Sequence, residues 1–137
     1  MKFLTTGTRS GLGRHLFERL GGGALTRNTP DSQRRPLFAE GADTILHCAA
    51  NSTKNVIPEG LWPYVEDNIL LTERLTAVPH QTFVFISSVD VYLATPGPHR
   101  ETETIPVDAA RGLYATAKLM SEAAVRSRWD LLQPLWA

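Results

Sequence analysis

No run of apolar residues in this sequence approaches the roughly twenty needed to cross a bilayer, so it offers no candidate membrane-spanning helix. It has no internal repeat and no low-complexity tract, which argues against a solenoid or a disordered linker. Its single cysteine, Cys48, excludes an internal disulfide and suits a reducing compartment. Net charge is also missing, with Lys plus Arg at 14 against Asp plus Glu at 14. That removes the electrostatic reason to expect nucleic acid or an anionic membrane as a partner. The opening Met1-Lys2-Phe3-Leu4 turns polar too soon for a signal peptide, so a cytoplasmic location is expected. His15, His47, His80 and His99 show no metal-ligand spacing, and no metal is expected.

What is present is a chain of 137 residues, the length of one domain. Short apolar runs alternate with helical stretches, the pattern of a parallel sheet covered by helices. Lys2 to Thr6, Ala24 to Arg27, Asp43 to Ala49 and Thr82 to Ser87 read as strands, and Trp129 to Leu132 as a fifth. Gly11 to Leu20 reads as a helix with Leu12, Leu16 and Leu20 along one face. Further helices are expected from Pro63 to Ala77 and from about Gly112 to Arg126. Between Asn28 and Asp43, Pro30 and Pro36 limit any helix to a short or irregular one. The predicted fold is α/β: a Rossmann-like, doubly wound parallel sheet of about five strands in three αβα layers. The expected strand order is 2-1-3-4-5, with the ligand over the C-terminal strand ends.

Three local patterns carry chemistry. The first strand runs into Thr6-Gly7-Thr8-Arg9-Ser10-Gly11-Leu12-Gly13, which opens the first helix. Gly7, Gly11 and Gly13 would permit a tight turn and close approach of a diphosphate, while Ser10 and Leu12 lie where the helix N-terminus offers N–H groups to an anion. Some twenty residues on, where a carboxylate would select a ribose 2′-hydroxyl, stands Arg27, with Arg9 inside the loop. Guanidinium groups there suit a 2′-phosphate and point to NADP(H), with NAD(H) the alternative. Tyr114 and Lys118 lie four apart on a helix, so a cation can favour the phenolate and make the tyrosine an acid/base. Ser88 ends a strand at the sheet's C-terminal edge, where its hydroxyl could bond a substrate oxygen or merely its own backbone.

Taken together, the glycine loop, the strand-end serine and Tyr114-Ala115-Thr116-Ala117-Lys118 resemble the short-chain dehydrogenase/reductase superfamily over nearly the whole chain. Ile45-Leu46-His47-Cys48-Ala49-Ala50, Asn68, Ser87-Ser88-Val89-Asp90-Val91-Tyr92 and Glu103-Thr104-Ile105-Pro106 are similar to its extended, NAD-dependent epimerase/dehydratase branch. The spacing Gly7-x-x-x-Gly11-x-Gly13 instead matches the shorter, single-domain branch, and the strand whose Asp frames adenine is missing. The resemblance implies that Ala49 and Ala50 lie along the cofactor, that Asn68 supports it and that Pro134 lines the nicotinamide pocket. It implies Tyr114 as acid/base, Lys118 as the residue that holds ribose and lowers the Tyr114 pKa, and Ser88 as the carbonyl-polarising hydroxyl. It also implies that residues 1–137 form one NAD(P)-binding domain without the family's C-terminal substrate-binding part.

Two readings follow. In one, the chain is an oxidoreductase or epimerase/dehydratase working on a carbonyl or hydroxyl substrate, a nucleotide sugar among the candidates. It would act as a homodimer through the helices starting at Pro63 and Gly112, or with a complementing partner chain. In the other, it binds NAD(P) without turnover, as a sensor, scaffold or truncated remnant.

Overall fold

β1, Phe3–Thr6, is the strand around which the others assemble. Leu4, Thr5 and Thr6 are all buried, so it is covered on both faces. It pairs in parallel with β2, Gly23–Leu25, on one side and with β3, Thr44–His47, on the other. β4, Thr82–Phe85, pairs in parallel with β3. The order is therefore β2-β1-β3-β4. The computed structural model describes residues 1–92, 97–106, 108 and 110–132, with the backbone alone for 129–132.

The helices are α1, Gly11–Leu20; α2, Asp31–Glu40; α3, Leu61–Val65; α4, Leu71–Thr76; and α5, Gly112–Leu132. Short 3₁₀ turns occupy Pro58–Gly60 and Val89–Val91, and a π turn, Glu66–Leu70, joins α3 to α4. The stretch expected as one helix from Pro63 is thus helical throughout, but widened in its middle. Insertions of this kind occur often beside functional sites. Between β2 and β3, where Pro30 and Pro36 suggest a short or irregular helix, stands a ten-residue α-helix, as long as α1, with Pro36 inside it.

Two expectations are corrected. Trp129 to Leu132 is not a fifth strand but the end of α5. Nothing between Leu113 and Leu132 is Gly or Pro, so no local signal stops the helix. On α1, Leu12 and Leu20 are exposed, and Gly13, Leu16 and Phe17 are the residues shielded from solvent. A glycine forms the closest approach, so the true packing face lacks the large apolar marker that periodicity seeks.

Leu4, Leu25, Ile45, Leu75 and Val78 form the core, with Leu37, Phe38, Leu71 and Phe83 packed against it. Among the described residues no helix is long and apolar enough to cross a membrane.

Candidate functional site

β1 has β2 on one side and β3 on the other, so the chain reverses its winding between β1 and β3. Such a reversal opens a crevice at the strands' C-terminal ends. A groove of about 680 Å³ lies there. The whole loop from Gly7 to Gly13 lines it, including Arg9, Ser10, Gly11 and Leu12, together with Arg27, Ala49 and Ala50. The structure therefore brings these predicted site residues into one place.

The loop has no room for side chains at its two ends. Gly7 has φ +71°, and a Cβ there would sit 2.8 Å from the Ala49 nitrogen. At Gly13 a Cβ would sit 2.5 Å from the Gly7 carbonyl oxygen. α1 starts behind Ser10 with no side-chain cap and no acidic residue in its first turn. Its leading N–H groups thus have no anionic competitor of their own and point their partial charge at the groove.

A directional hydrogen-bond chain holds the segment after β3. The Ala49 N–H donates to Thr6 Oγ1 at 3.0 Å, and Thr6 Oγ1 lies 2.8 Å from His47 Nδ1. His47 Nε2 lies 2.9 Å from Thr72 Oγ1, whose hydroxyl donates to the Asn68 carbonyl. The polarity closes with His47 carrying its proton on Nε2 and accepting from Thr6 on Nδ1. Burial, with Lys118 nearby, lowers the His47 pKa to about 3.

Asn68 does not line the groove. Its carboxamide accepts from the Asn51 N–H at 2.9 Å and donates to the carbonyls of Asn51 and Tyr64. It acts on the site by fixing Asn51 and the strip before it. Cys48 is half-buried and lines the groove, its thiol pKa raised by burial. Pro134 lies outside the described residues.

α5 meets the end of β4 through two polar ties. Lys118, 4% exposed, donates from Nζ to the Ile86 carbonyl at 2.7 Å. Ser87 Oγ donates to Glu122. The Lys118 ammonium stands 4.7 Å from the Phe85 ring centroid and 5.7 Å from that of Tyr114. Ser88 caps the 3₁₀ turn that follows, accepting from the Asp90 N–H and donating to the Asp90 carboxylate, both at 3.2 Å. That turn packs against α5. Ser87 is thus committed to Glu122, and Ser88 is held locally by Asp90.

Electrostatics at Tyr114 differ from the sequence expectation. Burial and then the Asp90 carboxylate raise the Tyr114 pKa, while burial lowers that of Lys118. Lys118 directs its hydrogen bond to the Ile86 carbonyl and not to the Tyr114 hydroxyl. Reading the sequence also missed Arg34, Asp67 and Arg74, which line the groove from α2, the π turn and α4. Their only sequence signal was charge on otherwise ordinary helices.

The model of the NAD dependent epimerase/dehydratase family matches residues 4–131. No curated protein is similar to the chain in sequence. Among solved structures, UDP-glucuronic acid 4-epimerase from Bacillus cereus, in complex with UDP-glucuronic acid and NAD, superposes with a TM-score of 0.71 at 20% identity over 95% of this chain. The dTDP-4-dehydrorhamnose reductase from Bacillus anthracis str. Ames, in complex with NADP, gives 0.74 at 22% identity over 93%. At this identity the likeness is one of fold. The chain spans about half the length of these structures, 52% and 50%.

Proposed function

The chain belongs to the NAD dependent epimerase/dehydratase family, and from that premise we propose that it binds NADP(H), with NAD(H) the alternative, and works on a carbonyl or hydroxyl of a nucleotide-sugar-like substrate. The observation that carries the reading is the groove between β1 and β3, where Gly7 and Gly13 leave backbone without side chains beside an uncapped helix start. A diphosphate fits such a cradle. Arg9 and Arg27, with Arg34 and Arg74 on the same walls, supply cations for a 2′-phosphate and support the NADP(H) preference. Ala49 and Ala50 would lie along the bound nucleotide, held by Thr6 and Asn68.

A bound nicotinamide would supply hydride exchange with a substrate carbon. Tyr114 would give or take the proton at the substrate oxygen, and Ser88 would hydrogen-bond that oxygen. Lys118, one helical turn from Tyr114, is the cation that would stabilise its phenolate. Exposed Leu61 and Trp62 on α3 and Met120 on α5 support association into a homodimer, or with a complementing chain, through these helices.

A second reading is binding without turnover. It is favoured by the Ser88 hydroxyl being engaged with Asp90 and by the raised Tyr114 pKa.

One experiment separates them: NADPH fluorescence during titration with protein, then a carbonyl-substrate screen of wild type against Tyr114→Phe. Both proteins are expected to bind NADPH, and Tyr114→Phe to lose at least about a hundredfold in turnover. Binding with no Tyr114-dependent turnover would establish the second reading. No binding of NADPH or NADH would refute both.

A further inference from the structure

We propose that Asp67 sets the preference of the groove for the ribose 2′ substituent, by competing with a 2′-phosphate for Arg27. The inference rests on the reading of the groove as a dinucleotide site.

Arg27 follows β2 by two residues, and Asp67 lies in the π turn between α3 and α4. Both line the groove. Arg27 Nη2 meets Asp67 Oδ2 at 2.5 Å, so the pair joins the two walls. The same carboxylate oxygen accepts from Asn51 Nδ2 at 2.9 Å. The two partners are unequally held: the Asp67 side chain is 22% exposed and that of Arg27 is 72%. Asp67 is the anchored member and Arg27 the one that can change partner.

A carboxylate and a phosphate compete for the same guanidinium fork. A 2′-phosphate must therefore displace Asp67 from Arg27, and then sit near the carboxylate it displaced. A 2′-hydroxyl faces neither requirement, because it carries no charge and does not need the guanidinium. Asp67 thus weakens binding of 2′-phosphorylated nucleotides and leaves unphosphorylated ones nearly untouched. Asp67→Asn keeps one oxygen to accept from Asn51, removes the charge and puts an NH2 donor in place of the other oxygen.

The test is calorimetric titration of wild type, Asp67→Asn, Arg27→Ala and the double variant with 2′,5′-ADP and with 5′-AMP. Asp67→Asn is expected to tighten 2′,5′-ADP by about threefold to fivefold, the upper part of the range for an exposed charge pair, with 5′-AMP unchanged within about twofold. In the Arg27→Ala background the gain should vanish. Equal tightening of both nucleotides, no tightening of either, or a gain that persists without Arg27 would each overturn the competition while leaving the dinucleotide reading intact. Binding of neither nucleotide to any of these proteins would overturn that reading, and the proposal with it.

Discussion

Between pH 7 and pH 5 the folded chain is expected to lose about 2 kcal/mol of stability through His47 alone. The ring is 1% exposed and its pKa stands near 3, against an ordinary value of 6.5. A depressed histidine pKa means that the unfolded chain binds the proton first. Stability from this group is complete above the unfolded value of about 6.5. It falls as pH drops, by up to about 1.4 kcal/mol per pH unit, until the folded value is reached. The hydrogen bonds supply the structural reason. Protonating Nδ1 would place a donor against the Thr6 hydroxyl, which already accepts from the Ala49 N–H and would have to turn its own proton away. The Lys118 ammonium opposes the added charge as well. Urea midpoints followed by circular dichroism at pH 7, 6 and 5 check this. His47→Gln should be less stable at pH 7 and show a slope smaller by about one proton over that range. An unchanged slope in His47→Gln would mean that the buried ring is not what titrates.

The elements nearest this site were legible in the sequence for a simple reason. β1, α1 and the loop between them are specified by local signals: a short apolar run, then glycines, then a helix that starts at Gly11 and ends at Leu20 as expected. The order β2-β1-β3-β4 is the doubly wound order expected from alternating strands and helices. Trp129 to Leu132 was misread because four mostly apolar residues look alike in a strand and at a helix end. The expected stripe of Leu12 and Leu20 failed because α1 approaches the sheet through Gly13, which no hydrophobicity pattern marks. Arg34, Asp67 and Arg74 were not legible as site residues, because they come from three separate segments and meet only across the folded groove. The same holds for Tyr114. Its spacing from Lys118 is written in the sequence, whereas the Asp90 carboxylate that acts on it is brought there by the turn after β4.

Gly13→Ala is expected to destabilise the fold by roughly 2–4 kcal/mol, the cost of overpacking against a group that cannot yield. The sign is not obvious, because Gly13 is inside a helix, where alanine is normally favoured by about 1 kcal/mol. Here the added Cβ would lie 2.5 Å from the Gly7 carbonyl oxygen and 2.8 Å from that of Thr6. Both are backbone atoms of the β1-to-α1 connection, so relief requires moving α1 away from the sheet, not rotating a side chain. That movement also opens the cradle between Gly7 and the helix start, so NADPH binding should fall together with the unfolding midpoint. Gly11 provides the internal comparison. Its φ is +56°, yet a Cβ there would meet nothing within 4 Å. Gly11→Ala should cost only the left-handed backbone penalty of about 1 kcal/mol, and Gly11→Asn less, since asparagine tolerates that conformation. A thermal or urea series on these variants, read beside NADPH titration, distinguishes space from backbone angle. If Gly13→Ala matched Gly11→Ala in both measurements, close packing of α1 on the β1 end would not be what shapes the groove.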